Sequence, residues 1–310
     1  MYQFSQQDSA GVLSVPAAAQ IIDATYRAIG LGEVEASEPS MMRIGSTPFR
    51  LGAKGAVLHH LGIAGVRLTS RAAPRLMLWS LENGEPIAFF DESEMYRFRT
   101  GVSAAVVARY LLQGRSLKRV AIVGAGPIAR QMASAIHQLL QPDEIAVTAR
   151  SRASAESFAS DAAAKDEPVV VANDVAEATR DAGLIITITS ANEELVRPEH
   201  VADGTVVLSM GGGLETSYEV WASAAARYVD DLSYALHQGD AAAWIKAGAT
   251  DLAGFKKSLS GTVGALAAGV TAAPAEPRRH LMAIVQGTTA LDIALAHSIY
   301  LSRAGVEEPR

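Results

Sequence analysis

The sequence predicts an α/β protein in two parts, an N-terminal α+β region followed by a doubly wound parallel sheet. Two observations carry that expectation. Short apolar runs separated by turn residues fill positions 40 to 90, as in a meander, and from Lys118 onward β-branched runs alternate with helical periodicities. At 310 residues and 49% hydrophobic content the chain is long enough to bury the cores of two domains. The change of pattern near residues 112–118 divides it into 1–115 and 116–289, with the 290–310 helix returning to the first part.

The elements follow in order. Ser14-Val15-Pro16 caps and opens a helix whose apolar positions Ile21, Ile22, Tyr26 and Ile29 recur at helical spacing, and Gly30 and Gly32 end it. The runs "MMRI", "AVLHHLGI", "GVRLTS", "LMLWSL" and "PIAFF" then read as antiparallel strands, with "ENGE" as a hairpin turn. A helix is expected after Thr100, with Ala104, Val107, Ala108 and Leu111 on one face, ending near Gly114. Beyond Lys118, "RVAIVG", "EIAVTAR", "PVVVA", "GLIITITS" and "GTVVLSM" read as strands. The segments "PIARQMASAIHQLL", "RASAESFASDAAA" and "VAEATRDA" read as the helices between them. After Gly213 the chain is expected to be helix-rich, its last helix covering "AIVQGTTALDIALAHSIYLSRAG".

Charge and composition exclude several classes. A net charge of −6, from 27 basic and 33 acidic residues without blocks of like charge, leaves no footprint for nucleic acid or an anionic membrane. The absence of cysteine removes disulfides, thiolate metal sites and a cysteine nucleophile, and no metal is expected. The first residues lack a basic region followed by an apolar one, and the most apolar long window, Leu259 to Ala275, is too broken by Gly and Pro to span a membrane. A cytoplasmic protein acting on a small molecule is the expectation.

The motif with most chemical content is Gly124-Ala125-Gly126-Pro127-Ile128-Ala129, directly after one strand and directly before a helix. The first glycine makes the turn and the second lets backbone approach a pyrophosphate. The small third residue lets helix and strand pack, which makes this a Rossmann-type doubly wound parallel sheet that binds a dinucleotide. At the end of the second strand, Thr148 to Arg152 includes no acid for a ribose 2′-hydroxyl. Arg150, Ser151 and Arg152 suit a 2′-phosphate instead, so NADP(H) is preferred and NAD(H) stays open. Thr189 and Ser190 end one parallel strand and Met210 and Gly211 another, at the carboxyl edge where open α/β sheets bind ligands. Arg43, Arg67 and Arg99 each sit in or beside an apolar run, and together they point to a site for a carboxylate. Arg99-Thr100-Gly101 is expected at a helix N-terminus, with Thr100 as the cap.

These residues, with "GEPIAFFDESEMYRFRTGVSAAVVARYL", "RVAIVGAGPIARQ", "VADGTVVLSMGGG" followed by Glu219, "YVDDLSYALHQGD" and "GTTALDIALA", make a sequence that resembles the ornithine cyclodeaminase/μ-crystallin family over nearly its whole length. The resemblance implies a homodimer built through the N-terminal domain, a Rossmann domain for NAD(P)(H), and an amino, imino or keto acid in the cleft between domains. By motif position it implies that Arg43 and Arg99 hold the substrate carboxylate and that Thr100 lies near a cofactor phosphate. Gly124, Gly126 and Ala129 match the fingerprint, and Gly287 matches a late glycine near the cofactor. Two positions depart from the family pattern. Arg67 stands where the family usually has lysine, which removes a group able to release a proton and leaves Lys54 or His60 as substitutes. Gly213 stands where cyclodeaminases carry an aspartate, with Glu215 nearby but out of register. Three activities are therefore weighed. They are a reductase or dehydrogenase acting by hydride transfer at the α-carbon of an imino, keto or N-substituted amino acid, a cyclodeaminase with bound NAD, and a cofactor-binding protein with little catalysis.

Overall fold

The computed structural model describes residues 1–43, 50–70 and 73–305. Its first sheet begins at the N-terminus with β1 (Tyr2–Phe4), and the short helix α1 (Gln6–Ser9) follows. Helix α2 (Val15–Gly30) is capped by Ser14, whose side chain accepts from the Ala17 amide, and it buries Ala18, Ala19, Ile22 and Tyr26. Then come β2 (Val34–Ala36), β3 (Ser40–Arg43), β4 (Arg50–Leu58), β5 (Ile63–Thr69), β6 (Arg75–Ser80) and β7 (Pro86–Asp91). Strands β4 to β7 form the expected antiparallel meander. The sequence reading missed β1, which pairs parallel with β7, and the first half of β4. It also joined two strands at "AVLHHLGI": Leu58 ends β4, His59–Leu61 is a 3-10 turn closed by Gly62 at φ 65°, and Ile63 opens β5.

Helix α3 (Ser93–Leu112) links the halves and is buried on almost every side. It starts eight residues earlier than expected, at Ser93 instead of Gly101. Thr100 is therefore no cap: it lies inside the helix and returns its hydroxyl to the Tyr96 carbonyl at 2.8 Å. The helix reaches back to Ser93 because Met95, seven residues before the buried Val102 and so on the same side of the helix, is itself buried.

The second half alternates β8 (Arg119–Val123), α4 (Pro127–Leu140), β9 (Glu144–Thr148), α5 (Arg152–Ala163), β10 (Val169–Val171), α6 (Val175–Thr179), β11 (Leu184–Thr187) and β12 (Val206–Ser209). After these come α7 (Tyr218–Ser223), β13 (Ala226–Val229), α8 (Leu232–Ala235), α9 (Gly239–Ala247), α10 (Leu252–Ser258), β14 (Gly261–Thr262), α11 (Val263–Ala267), β15 (Leu281–Ile284) and α12 (Thr289–Ala304). Eight strands pair in parallel in the order β10-β9-β8-β11-β12-β15-β13-β14. Strands β9 and β10 are added on one side of β8 and β11 and β12 on the other, so the strand order reverses between β8 and β11, the switch point where ligands of such sheets bind. "AIVQ" is not helical as expected: Ala283 and Ile284 belong to β15, which inserts between β12 and β13, and the helix begins at Thr289. Helix α12 then packs on β4, β5 and β6 of the first sheet. Among the described residues no helix is long and apolar enough to cross a membrane.

The two halves meet most closely where α3 crosses α4. A Cβ built on Gly101 would lie 2.7 Å from the Gln131 carbonyl carbon and 2.7 Å from the Met132 nitrogen, so the helix backbones touch at this point. Replacing glycine by alanine inside a helix ordinarily stabilises it by about 1 kcal/mol. Gly101→Ala is predicted to do the opposite, lowering stability by about 1–3 kcal/mol because α3 and α4 must separate. A urea midpoint that is unchanged or raised would contradict the packing.

Candidate functional site

At the switch point the motif after β8 divides its labour among residues. Gly124 adopts φ 128° and donates its amide to the Thr148 carbonyl at 2.8 Å; a Cβ there would meet the Ile188 carbonyl oxygen at 2.3 Å. Gly126 is the N-cap of α4, and a Cβ on it would meet nothing within 4 Å, so its face is open to an approaching group. Pro127 opens the helix where an amide would have no partner, Ile128 is half-buried, and Ala129 is fully buried against the sheet. An exposed glycine at the N-terminus of a 14-residue helix is the geometry that accepts a pyrophosphate.

The end of β9 narrows the expectation for a 2′-phosphate. Ser151 caps α5 by accepting from the Ser154 amide, and Arg152 is held by Glu156 at 2.8 Å and Asn173 at 2.6 Å. Arg150 is exposed and has no partner among the described residues, which leaves it alone of the three with a free guanidinium.

The glycine loop after β12 is built on a carboxylate that the sequence reading left unplaced. Glu215 is fully buried, and its side chain accepts from the amides of Thr189 and Gly211, tying the ends of β11 and β12 together. Its own amide donates to Asp240 at 2.7 Å. Burial pushes the Glu215 carboxyl up to about 7, against hydrogen bonds from Thr189 and Thr187 that favour its charge. Met210 is buried and donates its amide to the Thr187 carbonyl, while Ser190 is exposed beyond β11. A Cβ on Gly213 would lie 2.2 Å from the Ala191 carbonyl oxygen, so this loop has no room for an acid at that position.

From the glycine loop the contacts lead to a cluster of buried charges. Gln286 donates its side-chain amide to the Gly211 carbonyl at 2.9 Å, and the next residue, Gly287, adopts φ 84°. Gly287 donates its amide to Asp230 at 2.7 Å and lies against Arg99, whose Nη1 would be 2.7 Å from a Cβ added there. Arg99 makes a two-point ion pair with Asp292 of α12, at 2.6 and 3.0 Å. Arg67 donates through Nε to Glu92 at 2.7 Å, and its guanidinium stands 4.2 Å over the Tyr96 ring, which Arg99 also approaches at 5.1 Å. Arg67 leaves both its terminal nitrogens, and Arg99 its Nη1, without a hydrogen-bond partner among the described residues. Lys54 is directly opposite Arg67 in the β4–β5 register; its ammonium lies 3.1 Å from Asp231, 3.5 Å from the Gly287 carbonyl and 3.6 Å from the Tyr234 ring centre. Burial lowers the Lys54 pKa, although Asp231 pulls the other way, and burial pushes the Asp230 carboxyl up to about 6.

The structure thus brings Arg67, Arg99, Gly287 and Lys54 together and leaves His60 out, exposed in the turn at the end of the hairpin. The backbone of Arg43 closes β3 opposite Arg50, but its side chain lies outside the described residues. Glu92, Asp230, Asp231 and Asp292 were not singled out in the sequence, because each is recognisable only by a partner distant in the chain. A cavity of about 210 Å3 reaches the cluster from the Asp231 side, lined by Ser37, Asp230, Asp231, Ser233 and Thr288 among others. A larger groove of about 390 Å3 lies between the start of α3 and helices α4 and α5, lined by Arg97, Arg130 and Phe158, away from these charges. Among the described residues no group of three His, Asp or Glu side chains is placed to hold a metal ion.

Similar proteins place this architecture. Over 311 residues the chain is 22% identical to an alanine dehydrogenase of Archaeoglobus fulgidus, an alignment covering 96% of this chain and 93% of that protein. A delta(1)-pyrroline-2-carboxylate reductase of Bacillus cereus is 32% identical over 117 residues, 37% of this chain and only 36% of the reductase. Among solved structures, the Thermococcus litoralis delta(1)-pyrroline-2-carboxylate reductase in complex with NADH and L-proline superposes with a TM-score of 0.88. That match, at 18% identity, covers 98% of each chain. The profile of the ornithine cyclodeaminase/mu-crystallin family matches residues 64–304, from β5 to the end of α12. With that match running from β5 through the glycine turn after β8 to α12, and including Arg67, Glu92, Arg99 and Asp292, the chain belongs to the ornithine cyclodeaminase/mu-crystallin family.

Proposed function

We propose that this chain is an NAD(P)H-dependent reductase of α-imino acids, transferring hydride to the α-carbon of a substrate held by its carboxylate. The observation that carries the reading is the pair of guanidiniums over Tyr96, already neutralised by Glu92 and Asp292 yet with terminal nitrogens free to take a second carboxylate. Relatives named as pyrroline-2-carboxylate reductase and alanine dehydrogenase act on substrates of this class. A cyclic imino acid of the pyrroline-2-carboxylate type is the substrate we assign, with α-keto acids plus ammonia as a neighbouring class.

The site fits a nicotinamide dinucleotide. Gly124, Gly126 and the start of α4 would take the pyrophosphate, and the β11 and β12 ends, with Thr189, Met210 and Gly211, would face the ring. The cofactor, when bound, supplies the hydride. The protein's own residues fix the carboxylate at Arg67 and Arg99, hold the α-carbon against the ring position and keep water away by burial. We assign residues 1–115 with α12 to the substrate side and 116–289 to the cofactor. A homodimer through the first sheet is favoured by Met41 and Met42, large apolar side chains that β3 leaves exposed, one on each face of the strand.

A cyclodeaminase is disfavoured, because its aspartate would have to occupy Gly213, where the Ala191 carbonyl leaves no space. With NADPH or NADH, addition of pyrroline-2-carboxylate is predicted to bleach the reduced nicotinamide absorbance. Ammonia release from ornithine or lysine with only catalytic NAD would overturn the reading, as would tight cofactor binding with no turnover of any imino or keto acid.

Cofactor choice rests on Arg150. A guanidinium–phosphate contact is worth about 1.5–3 kcal/mol, roughly 10- to 100-fold in affinity. Arg150→Ala is therefore predicted to weaken NADPH by about tenfold or more and leave NADH unchanged in fluorescence titrations. Equal loss for both cofactors, or none for NADPH, would remove the 2′-phosphate assignment.

A further inference from the structure

We propose that Lys54 is the catalytic proton donor of this site, delivering a proton to the substrate nitrogen and recovering it through Asp231 from the adjoining cavity. The proposal rests on imine reduction as the activity and goes beyond it by naming the acid.

Three features of the cluster carry it. The first is elimination. Arg67 and Arg99 keep their protons at any accessible pH and are tied to Glu92 and Asp292. Tyr234 is made a weaker acid by burial, and Glu92, although burial pushes its carboxyl up to about 8, is held through Oε2 by Arg67 and does not line the cavity through which a proton could return. Lys54 alone among the buried cations can release a proton, and burial makes that release easier than for a lysine in water. The second is register. Lys54 and Arg67 are paired across β4 and β5, so their side chains leave the same face of the sheet with Cβ atoms about 5 Å apart. An α-imino acid carries its nitrogen and its carboxylate on the same carbon, and two cationic side chains at that separation match those two groups. The third is a return path. Asp231 touches the Lys54 ammonium at 3.1 Å and also lines the 210 Å3 cavity, which Lys54 itself does not line.

With the hydride that a bound reduced nicotinamide dinucleotide would supply added to the imine carbon, the π electrons of the C=N bond move to nitrogen, and nitrogen takes a proton from the Lys54 ammonium. The products are the secondary amino acid, the oxidised dinucleotide and neutral Lys54, which regains a proton by way of Asp231. The charged and titratable groups facing Lys54 are Asp230 and Asp231 from the segment leading into α8, Tyr234 from α8 itself, Asp292 from α12, and Arg67 from β5. Because Lys54 acts in its protonated form, turnover falls as pH rises through its lowered pKa.

The test compares full-length wild type, Lys54→Arg and Lys54→Met. It measures kcat and KM for pyrroline-2-carboxylate against pH, and the affinities for L-proline and the oxidised cofactor by calorimetry. The expected result is a loss of about 100-fold or more in kcat for both variants, with cofactor affinity retained and the alkaline limb of the wild-type profile gone. Lys54→Arg keeps the buried cation, so it guards against a Lys54→Met protein that fails to fold. Lys54→Arg retaining wild-type kcat would overturn the proposal, because charge alone would then suffice. Variants that keep kcat but lose L-proline affinity would overturn it in favour of a binding role. Wild-type protein inactive on every imino acid would instead sink the assigned activity, and the proton donor with it, whereas an active wild type confines any failure to Lys54.

Discussion

Three cations and four carboxylates are held out of water where the two sheets meet, and the architecture is arranged so that none stands alone. Removing such a charge from water costs several kcal/mol unless a partner and hydrogen bonds offset it. Arg99 on α3 meets Asp292 on α12, Arg67 on β5 meets Glu92 just before α3, and Lys54 on β4 meets Asp231 before α8. Each pair joins elements from different parts of the chain. The cluster therefore requires α12 to return to the first sheet and α3 to pass between the halves.

Glycines set how closely those parts approach. Gly101 lets α3 touch the backbone of α4, two residues after Arg99, so the helix that carries Arg99 rests on the helix that follows the glycine turn. Gly124 touches the Ile188 carbonyl across the switch point, and Gly287 presents its amide to Asp230 and its carbonyl to Lys54 beside the Arg99 guanidinium. Glu215 and Gln286 complete the line from the phosphate turn to the cations. A buried carboxyl raised to about 7 beside the glycine loop is tolerated because two backbone amides need an acceptor there.

What the sequence disclosed was what local chemistry encodes. A strand, a glycine turn and a helix are contiguous, so Gly124 to Ala129 was legible as the turn between β8 and α4, as was the antiparallel meander from period-two runs. Arg67 and Arg99 stood out because charge in an apolar run demands a partner. Their partners were invisible: Asp292 lies 193 residues from Arg99, and no spacing rule connects them. The first half of β4 was missed because Gly52 and Gly55 dilute its pattern, and Lys54 was lost with it as a strand residue. Strands β13, β14 and β15 are too short, and too near helical neighbours, for period alone to separate them. Thr100 misled because a threonine before an apolar run looks like a cap when the preceding turn of helix is polar.

In the function we propose, the buried arginines, already paired, are the place where a substrate carboxylate lands. A crystal structure of the protein with oxidised cofactor and L-proline tests it most directly. The predicted result has the proline carboxylate within hydrogen-bond distance of the free terminal nitrogens of Arg67 and Arg99, with the Arg67–Glu92 and Arg99–Asp292 pairs intact. Proline seated instead in the groove between α4 and α5, or arginines that leave their carboxylates to reach it, would contradict the account.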